Sequence, residues 1–351
     1  MARSRSVWVA IGALAGALAV AALLLYWQLA ASMEQRCGAP AGTRVTVNAG
    51  ASLRAVLAEL AQAGALRDPR LVEWYLRLHG EHLRAQAGIY ALEQGATARQ
   101  ILAQLASGRV VMSQVTIVEG WTFTQMRQAL DANPDLVHDW QHQDEAALMS
   151  ELGQRGIAAE GRFFPDTYRF AAGTSDRRIY QMALQRMSEH LAEQWAGRAP
   201  GTPVRTADAA LILASIVEKE TGREDERARV AAVFSNRLRQ GMRLQSDPTV
   251  IYGLGAAYDG NLRRRDLEKD GPYNSYTRNG LPPTPIALPG EASLHAALHP
   301  ADSDALYFVA TGAGDGSHYF SATYEQHNAA LLRYLKRIGA RPDSAVTGGG
   351  K

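Results

Sequence analysis

Apolar residues recur along this chain in three rhythms, and each predicts a different element. From Val7 to Trp27 no charged or strongly polar side chain interrupts the run. As a helix that run would reach roughly 31 Å, enough to cross a hydrocarbon core of about 30 Å. Arg3 and Arg5 precede it, which predicts a cytoplasmic N-terminus and export of everything after Trp27. The rival is a cleaved signal peptide, but its apolar region would be shorter, and Leu29-Ala30-Ala31 is a poor cleavage site. A lipoprotein signal fits less well still, because Glu34-Gln35-Arg36 stand before Cys37 where small residues are needed. The expected order is a cytoplasmic end over 1–6, a membrane span over 7–27 and a stem over 28–42.

The second rhythm is a strand-like stretch, a glycine, one residue, a Ser or Thr, and then apolar positions at helical spacing. It occurs as Val45–Val47 with Gly50 and Ser52, as Ile89–Leu92 with Gly95 and Thr97, and as Val115–Val118 with Gly120 and Thr122. Glycine permits the turn and the hydroxyl is placed to cap the helix that follows. A further helix is expected over Pro69–Leu78, with Leu71, Trp74, Tyr75 and Leu78 on one side. The third rhythm is plain helical periodicity over 144–155, 176–195, 207–221, 225–240 and 322–338. Leu306–Ala310 and Ser317–Phe320 read as a hairpin, and 241–300 is rich in turn residues with few long periodic runs. These elements predict an α+β protein: a small subdomain over 43–111, a larger α+β domain over 112–340, and a disordered tail over 341–351.

The charge balance, 37 Lys and Arg against 35 Asp and Glu in 351 residues, lacks the basic excess of a dedicated nucleic-acid binder. A single cysteine, Cys37, rules out an intramolecular disulfide framework and any multi-cysteine metal site. His138 with His142 and His295 with His299 have the i, i+4 spacing of a chelating pair, but no third ligand stands at a fixed offset, so no metal or other cofactor is expected. Gly312, Gly314 and Gly316 run into a strand, not a helix, so they form a turn and not a phosphate loop. The Gly-x-Ser-x-Gly elbow, Ser-x-x-Lys, the P-loop and His-Glu-x-x-His are all missing.

The helix expected from Ala207 onward is apolar nearly all round, so it should be buried, and it ends in Glu218 and Glu220. At the C-terminal end of a helix, against apolar neighbours, a carboxylate is disfavoured, which suits a general acid with a pKa raised toward ~6. Periodicity does not choose between the two: Glu218 aligns with Ala214 and Leu211, Glu220 with Ile216 and Leu213. The bland alternative is that both pair with Arg223 or Arg227.

The string Ala214-Ser215-Ile216-Val217-Glu218-Lys219-Glu220-Thr221 resembles the signature of the YceG-like endolytic murein transglycosylases. So do Val233-Phe234-Ser235-Asn236-Arg237-Leu238, the block from Met242 through Gln245-Ser246-Asp247-Pro248-Thr249 to Gly253, and Glu160-Gly161-Arg162-Phe163-Phe164-Pro165. Tyr273-Asn274-Ser275-Tyr276, Gly280-Leu281-Pro282-Pro283, His299-Pro300 and Leu306–Ala310 continue the likeness. The segment 43–111 resembles a LysM-like module, which grips glycans of the N-acetylglucosamine type; its bland alternative is a docking domain without a ligand. Arg162 departs from the family pattern at a position where an aromatic is expected, in the wall of the groove.

The resemblance implies cleavage of the MurNAc-β-1,4-GlcNAc bond inside nascent glycan strands, with 1,6-anhydro ends as product. It implies no cofactor, and peptidoglycan strands, the membrane and peptidoglycan synthases as partners. The chain would sit in the inner membrane with its catalytic domain in the periplasm. It assigns catalysis to the first glutamate of the string, Glu218. One carboxyl group suffices, because the C6 hydroxyl of the same sugar is the nucleophile and no water need be activated. Gln245, Asp247, Asn274 and Tyr276 are the polar groups expected near the scissile bond. A non-enzymatic wall-binding scaffold and a hydrolytic muramidase are the competing functions.

Overall fold

The computed structural model describes residues 2–81 and 83–339; the expected tail over 341–351 lies outside the described residues. The chain divides into two units, residues 1–114 with 169–174, and residues 115–168 with 175–351.

The first unit opens with helix α1 (Ala2–Met33), whose stretch Val7–Met33 is long and apolar enough to cross a membrane. Its large side chains from Val7 to Trp27 are exposed, but the last turns are not: Leu29 and Met33 enter the core of the unit. The stretch expected as a stem is therefore packed protein, with Cys37 and Ala39 buried alongside. Strand β1 (Arg44–Val47) pairs antiparallel with β2 (Gly88–Ala91), Val45 opposite Tyr90. Between them lie α2 (Leu53–Gln62) and α3 (Pro69–Leu78), and α4 (Ala98–Ser107) follows. Ser52 caps α2 and Thr97 closes a capping box on α4, so the hydroxyl positions of the repeat do the work assigned to them. Helix α3 buries Val72, Tyr75 and Leu76, a set spaced by three and four residues, and leaves Trp74 and Leu78 exposed. The apolar side expected for it is thus rotated by about one position.

Strand β3 (Met112–Thr116) carries the chain into the second unit, where Thr122 caps α5 (Phe123–Asp131). There follow β4 (Leu136–Val137), α6 (Glu145–Glu151), β5 (Thr167–Ala171), β6 (Thr174–Ser175) and α7 (Asp176–Ala196). The centre of this unit is α8 (Ala207–Glu220), packed by α7, α9 (Glu224–Arg239), α10 (Asp247–Leu254) and α12 (Glu291–Leu298), with α11 (Arg264–Glu268) between the last two in sequence. Leu211, Leu213, Ile216 and Val217 are each fully buried, as an all-apolar helix demands. Ser215, also fully buried, accepts a hydrogen bond from the Ile286 amide at 3.0 Å and so fastens the 286 segment to α8. The hairpin of β7 (Tyr307–Ala310) and β8 (His318–Ser321), with Phe308 opposite Phe320, and the terminal helix α13 (Tyr324–Ile338) complete the unit.

Candidate active site

Helix α8 stops at Glu220 because Thr221 turns to an extended conformation, φ −142°. Two residues apart on a helix means about 200° of rotation, so Glu218 and Glu220 leave that last turn on opposite sides. Glu220 lines a cleft of about 1640 Å³ in the second unit; Glu218 is not among the residues that line it. Instead the Gly290 amide, at the start of α12, donates to Glu218 Oε2 at 3.0 Å. Glu119 is also close, and its carboxyl is raised by burial and by the Glu218 charge. Among the described residues neither glutamate of α8 forms an ion pair with an arginine; Arg223 pairs with Asp225 and Asp315.

The Glu220 carboxyl is pushed up to about 7, chiefly by burial, with the Asp247 charge adding to it. Its Oε1 accepts from Ser246 Oγ at 2.5 Å, and that bond and the Arg237 charge pull the other way. Ser246 is held in place: its amide donates to Ser275 Oγ at 2.9 Å, and Thr249 Oγ1 donates to its carbonyl at 2.7 Å. Just before it, Gln245 has φ 50°, the left-handed region that a glutamine enters only under strain, among the described residues the one non-glycine there. The Gln245 amide donates to the Ser275 carbonyl, and its side-chain oxygen accepts from Arg237 at 3.3 Å. Arg237 is buried and spends its other donors on the carbonyls of Leu306 and Leu244, each at 2.7 Å. Asp247 opens α10 and accepts from Tyr276 Oη at 2.5 Å; burial raises both groups.

Gln245, Asp247 and Tyr276 therefore stand with Glu220 around one cleft. Asn274 does not: it is buried and its amide donates to the carbonyls of Asp266, Leu267 and Lys269 while its oxygen takes the Tyr276 amide. It shapes the loop that presents Tyr276. Arg162, the departure from the family pattern, also stands off the cleft, in an ion pair with Asp208 at 2.6 Å. Of the histidine pairs, His295 and His299 stack on each other and His299 Nε2 bonds to the Gly197 carbonyl, while His142 is exposed.

Two further features line the same cleft and had no assigned role in the sequence. Glu160, 6% exposed, accepts from the Phe123 amide at 3.0 Å and from Tyr252 Oη at 3.2 Å, and burial pushes it up to about 7. His318 on β8 is bound to Glu226 on α9. The sequence signal for Glu160 is its block with Gly161, whose φ of +79° and closeness to Pro285 admit no side chain. For the Glu226–His318 pair, 92 residues apart, no local signal exists.

The YceG-like family model matches residues 45–333. An endolytic murein transglycosylase of Bacillus subtilis (strain 168) is 30% identical over 312 residues, covering 84% of this chain and 85% of the relative. One from Streptococcus pneumoniae serotype 2 (strain D39) is 26% identical over 323 residues, which are 83% of this chain but 58% of that longer relative. The crystal structure of a YceG-like protein from Listeria monocytogenes aligns with 82% of this chain and 97% of its own at 29% identity, with a TM-score of 0.49.

Proposed function

We propose that this chain, which belongs to the YceG-like family, is an endolytic murein transglycosylase whose acid is Glu220. It cleaves the MurNAc-β-1,4-GlcNAc bond within nascent strands and leaves 1,6-anhydro ends. The observation that carries the assignment is the carboxyl of Glu220 in the cleft, pushed up to about 7 and aimed by Ser246. At neutral pH about half of such a group is protonated, the state needed to donate to a glycosidic oxygen. As the bond to the leaving sugar breaks, the C6 hydroxyl oxygen of the muramic residue bonds to C1, so no second carboxylate is needed to activate water. Holding donor and nucleophile on one sugar also removes the entropic cost of a separate reactant. The expectation for Glu218 is revised accordingly: its oxygen is engaged by Gly290 away from the cleft.

Around the reacting sugar, the Asp247–Tyr276 pair and Gln245 are the groups we assign to substrate contact and to the positive charge that develops at C1. Asn274, with its donors consumed by the loop, takes no part in this reading. The first unit is assigned a LysM-like hold on the glycan, supported by the exposed indole of Trp74, 61% accessible. Helix α1 is assigned as a single-pass inner-membrane anchor with a cytoplasmic N-terminus and a periplasmic catalytic unit, supported by the exposed apolar run from Val7. Strand-elongating synthases are the partners such a placement implies.

The test is digestion of purified peptidoglycan with the full chain in detergent, followed by mass spectrometry of the released ends. Anhydro ends support the transglycosylase. Reducing ends, heavier by one water, would make it a muramidase, and binding without cleavage would make it a scaffold.

A further inference from the structure

Beside the cleft lies a second, smaller cavity of about 360 Å³, lined by the segment that follows α10. One stretch of chain divides the two. Gly255 and Ala256 line the cleft while their neighbours Leu254 and Ala257 line the cavity. Further along, Leu262 and Leu267 line the cleft while Asn261 and Asp266 line the cavity. The partition runs through α11 and ends at Lys269.

The cavity is cationic: Arg263, Arg265 and Lys269 line it against the single acid Asp266. The other acids of the segment are engaged elsewhere. Asp259 takes Arg263 at 2.6 and 3.2 Å, Glu268 takes Arg264 at 2.7 Å, and Asp270 takes Arg278 at 2.8 and 2.9 Å. Asp266 accepts from the Arg263 amide at 2.9 Å and stands 3.7 Å from the Arg265 guanidinium. The Arg265 side chain is 76% exposed, and among the described residues that long contact is its one ion pair. The Lys269 ammonium has no partner among them. Two cations therefore retain charge and donors for a ligand.

The backbone that carries them is tied to the cleft. Asn274 donates to the carbonyls of Asp266, Leu267 and Lys269 at 3.2, 3.0 and 2.7 Å, and accepts from the Tyr276 amide at 2.8 Å. Tyr276 in turn donates to Asp247 in the cleft. Asp270 adds a second tie, to Thr277 and Arg278. A segment anchored in this way needs little ordering when a ligand arrives, so binding to it costs less entropy.

Each muramic residue of a murein strand carries a short peptide on its lactyl group, and that stem bears free carboxylates. We propose that Arg265 and Lys269 form a subsite for the stem-peptide carboxylates of the strand held in the cleft, which makes them specificity-determining residues. The inference rests on the transglycosylase reading, which supplies the glycan. An extended stem of four residues reaches up to about 14 Å from its sugar, more than the roughly 10 Å width of a helix such as α11. It can therefore cross the partition. Arginine offers a carboxylate two parallel donors, and lysine adds a mobile point charge.

The experiment compares two substrates: uncross-linked glycan strands with their stem peptides, and the same strands stripped by an amidase. Release of anhydro ends is followed for the full chain in detergent and for the double variant Arg265→Gln, Lys269→Gln. Both side chains are exposed, so the variant keeps the fold. Two exposed charge contacts are worth roughly five- to tenfold in kcat/KM, carried by KM because they act alike on bound substrate and transition state. The wild-type chain should favour peptide-bearing strands by that factor at low salt and lose the preference at about 0.5 M salt. The double variant should cleave peptide-bearing strands with the KM of the bare ones and an unchanged kcat.

A wild-type chain that releases no anhydro ends from either substrate would overturn the transglycosylase reading, and this inference with it. Cleavage of both substrates at equal KM would overturn the subsite alone, and so would a preference for peptide-bearing strands that survives in the double variant. A preference present in the wild type and erased in the variant supports it. Should the bare strands resist cleavage altogether, KM on the peptide-bearing strands decides: raised in the variant supports the subsite, unchanged overturns it.

Discussion

Glu218 and Glu220 leave the same last turn of α8 in opposite directions, Glu218 to the amide of Gly290 and Glu220 to the hydroxyl of Ser246. The first contact is with the start of a helix that packs on α8; the second is in a cleft with Asp247, Tyr276 and Arg237. Helix geometry alone requires this separation.

Ser246→Ala removes the hydrogen bond that favours the ionised form of Glu220. The Glu220 pKa should then rise further, and the alkaline fall in activity should move to higher pH. A loss of roughly tenfold in kcat is expected from the lost aim of the carboxyl. The pH–rate profile of the variant checks the direction of the shift.

Stability should fall as pH rises. Glu160 and Glu220 are each held near 7 in the folded chain against an ordinary value of 4.5, so the folded state binds more protons than the unfolded state between those limits. The folded state therefore loses up to about 3 kcal/mol for each group as pH climbs through that window. Calorimetric melting of the full chain at pH 5 and pH 7.5 should show the higher Tm at pH 5. Glu220→Gln should shrink the difference and leave the part due to Glu160.

Asn274→Ala strands three loop carbonyls and the Tyr276 amide. A cost of about 2–4 kcal/mol is expected, seen as a lower Tm, with activity lost only in proportion to unfolding. A loss of kcat at full stability would instead place Asn274 against the substrate.

A chain begun at Gln28 should keep a stable first unit, whereas one begun at Thr43 should not. The second truncation removes Leu29, Met33, Cys37 and Ala39 from the core, and even one such truncated side chain costs about 2–5 kcal/mol. Protease resistance of residues 43–111 in the two truncated chains distinguishes them.

Local signals carried most of the fold. The Ser52, Thr97 and Thr122 caps and the all-apolar stretch of α8 are written into short windows, and the helices they announce are where they were expected. Helix α12 is hard to read from sequence because its eight residues make only about two turns, too few for a helical period to stand out. The packing of the stretch after Trp27 is not legible either: Leu29 and Met33 continue the apolar pattern of α1 but are buried by contacts distant in sequence. Gln245, Asp247 and Tyr276, which line the cleft, stand in family-like blocks of the sequence. Which of Glu218 and Glu220 lines the cleft is not legible there, since their partners Gly290 and Ser246 lie 72 and 26 residues away. The Glu226–His318 pair lies beyond any local window for the same reason.

The most direct test sets Glu220→Gln beside Glu218→Gln in one assay, with both variants checked for a wild-type melting transition. Anhydro ends released from purified peptidoglycan are counted by mass spectrometry at pH 6.5. Glu220→Gln should lose them by about 1000-fold or more, and Glu218→Gln should retain them within about tenfold. Abolition of anhydro ends by Glu218→Gln, with Glu220→Gln still active, would contradict the assignment of the cleft carboxyl as the acid.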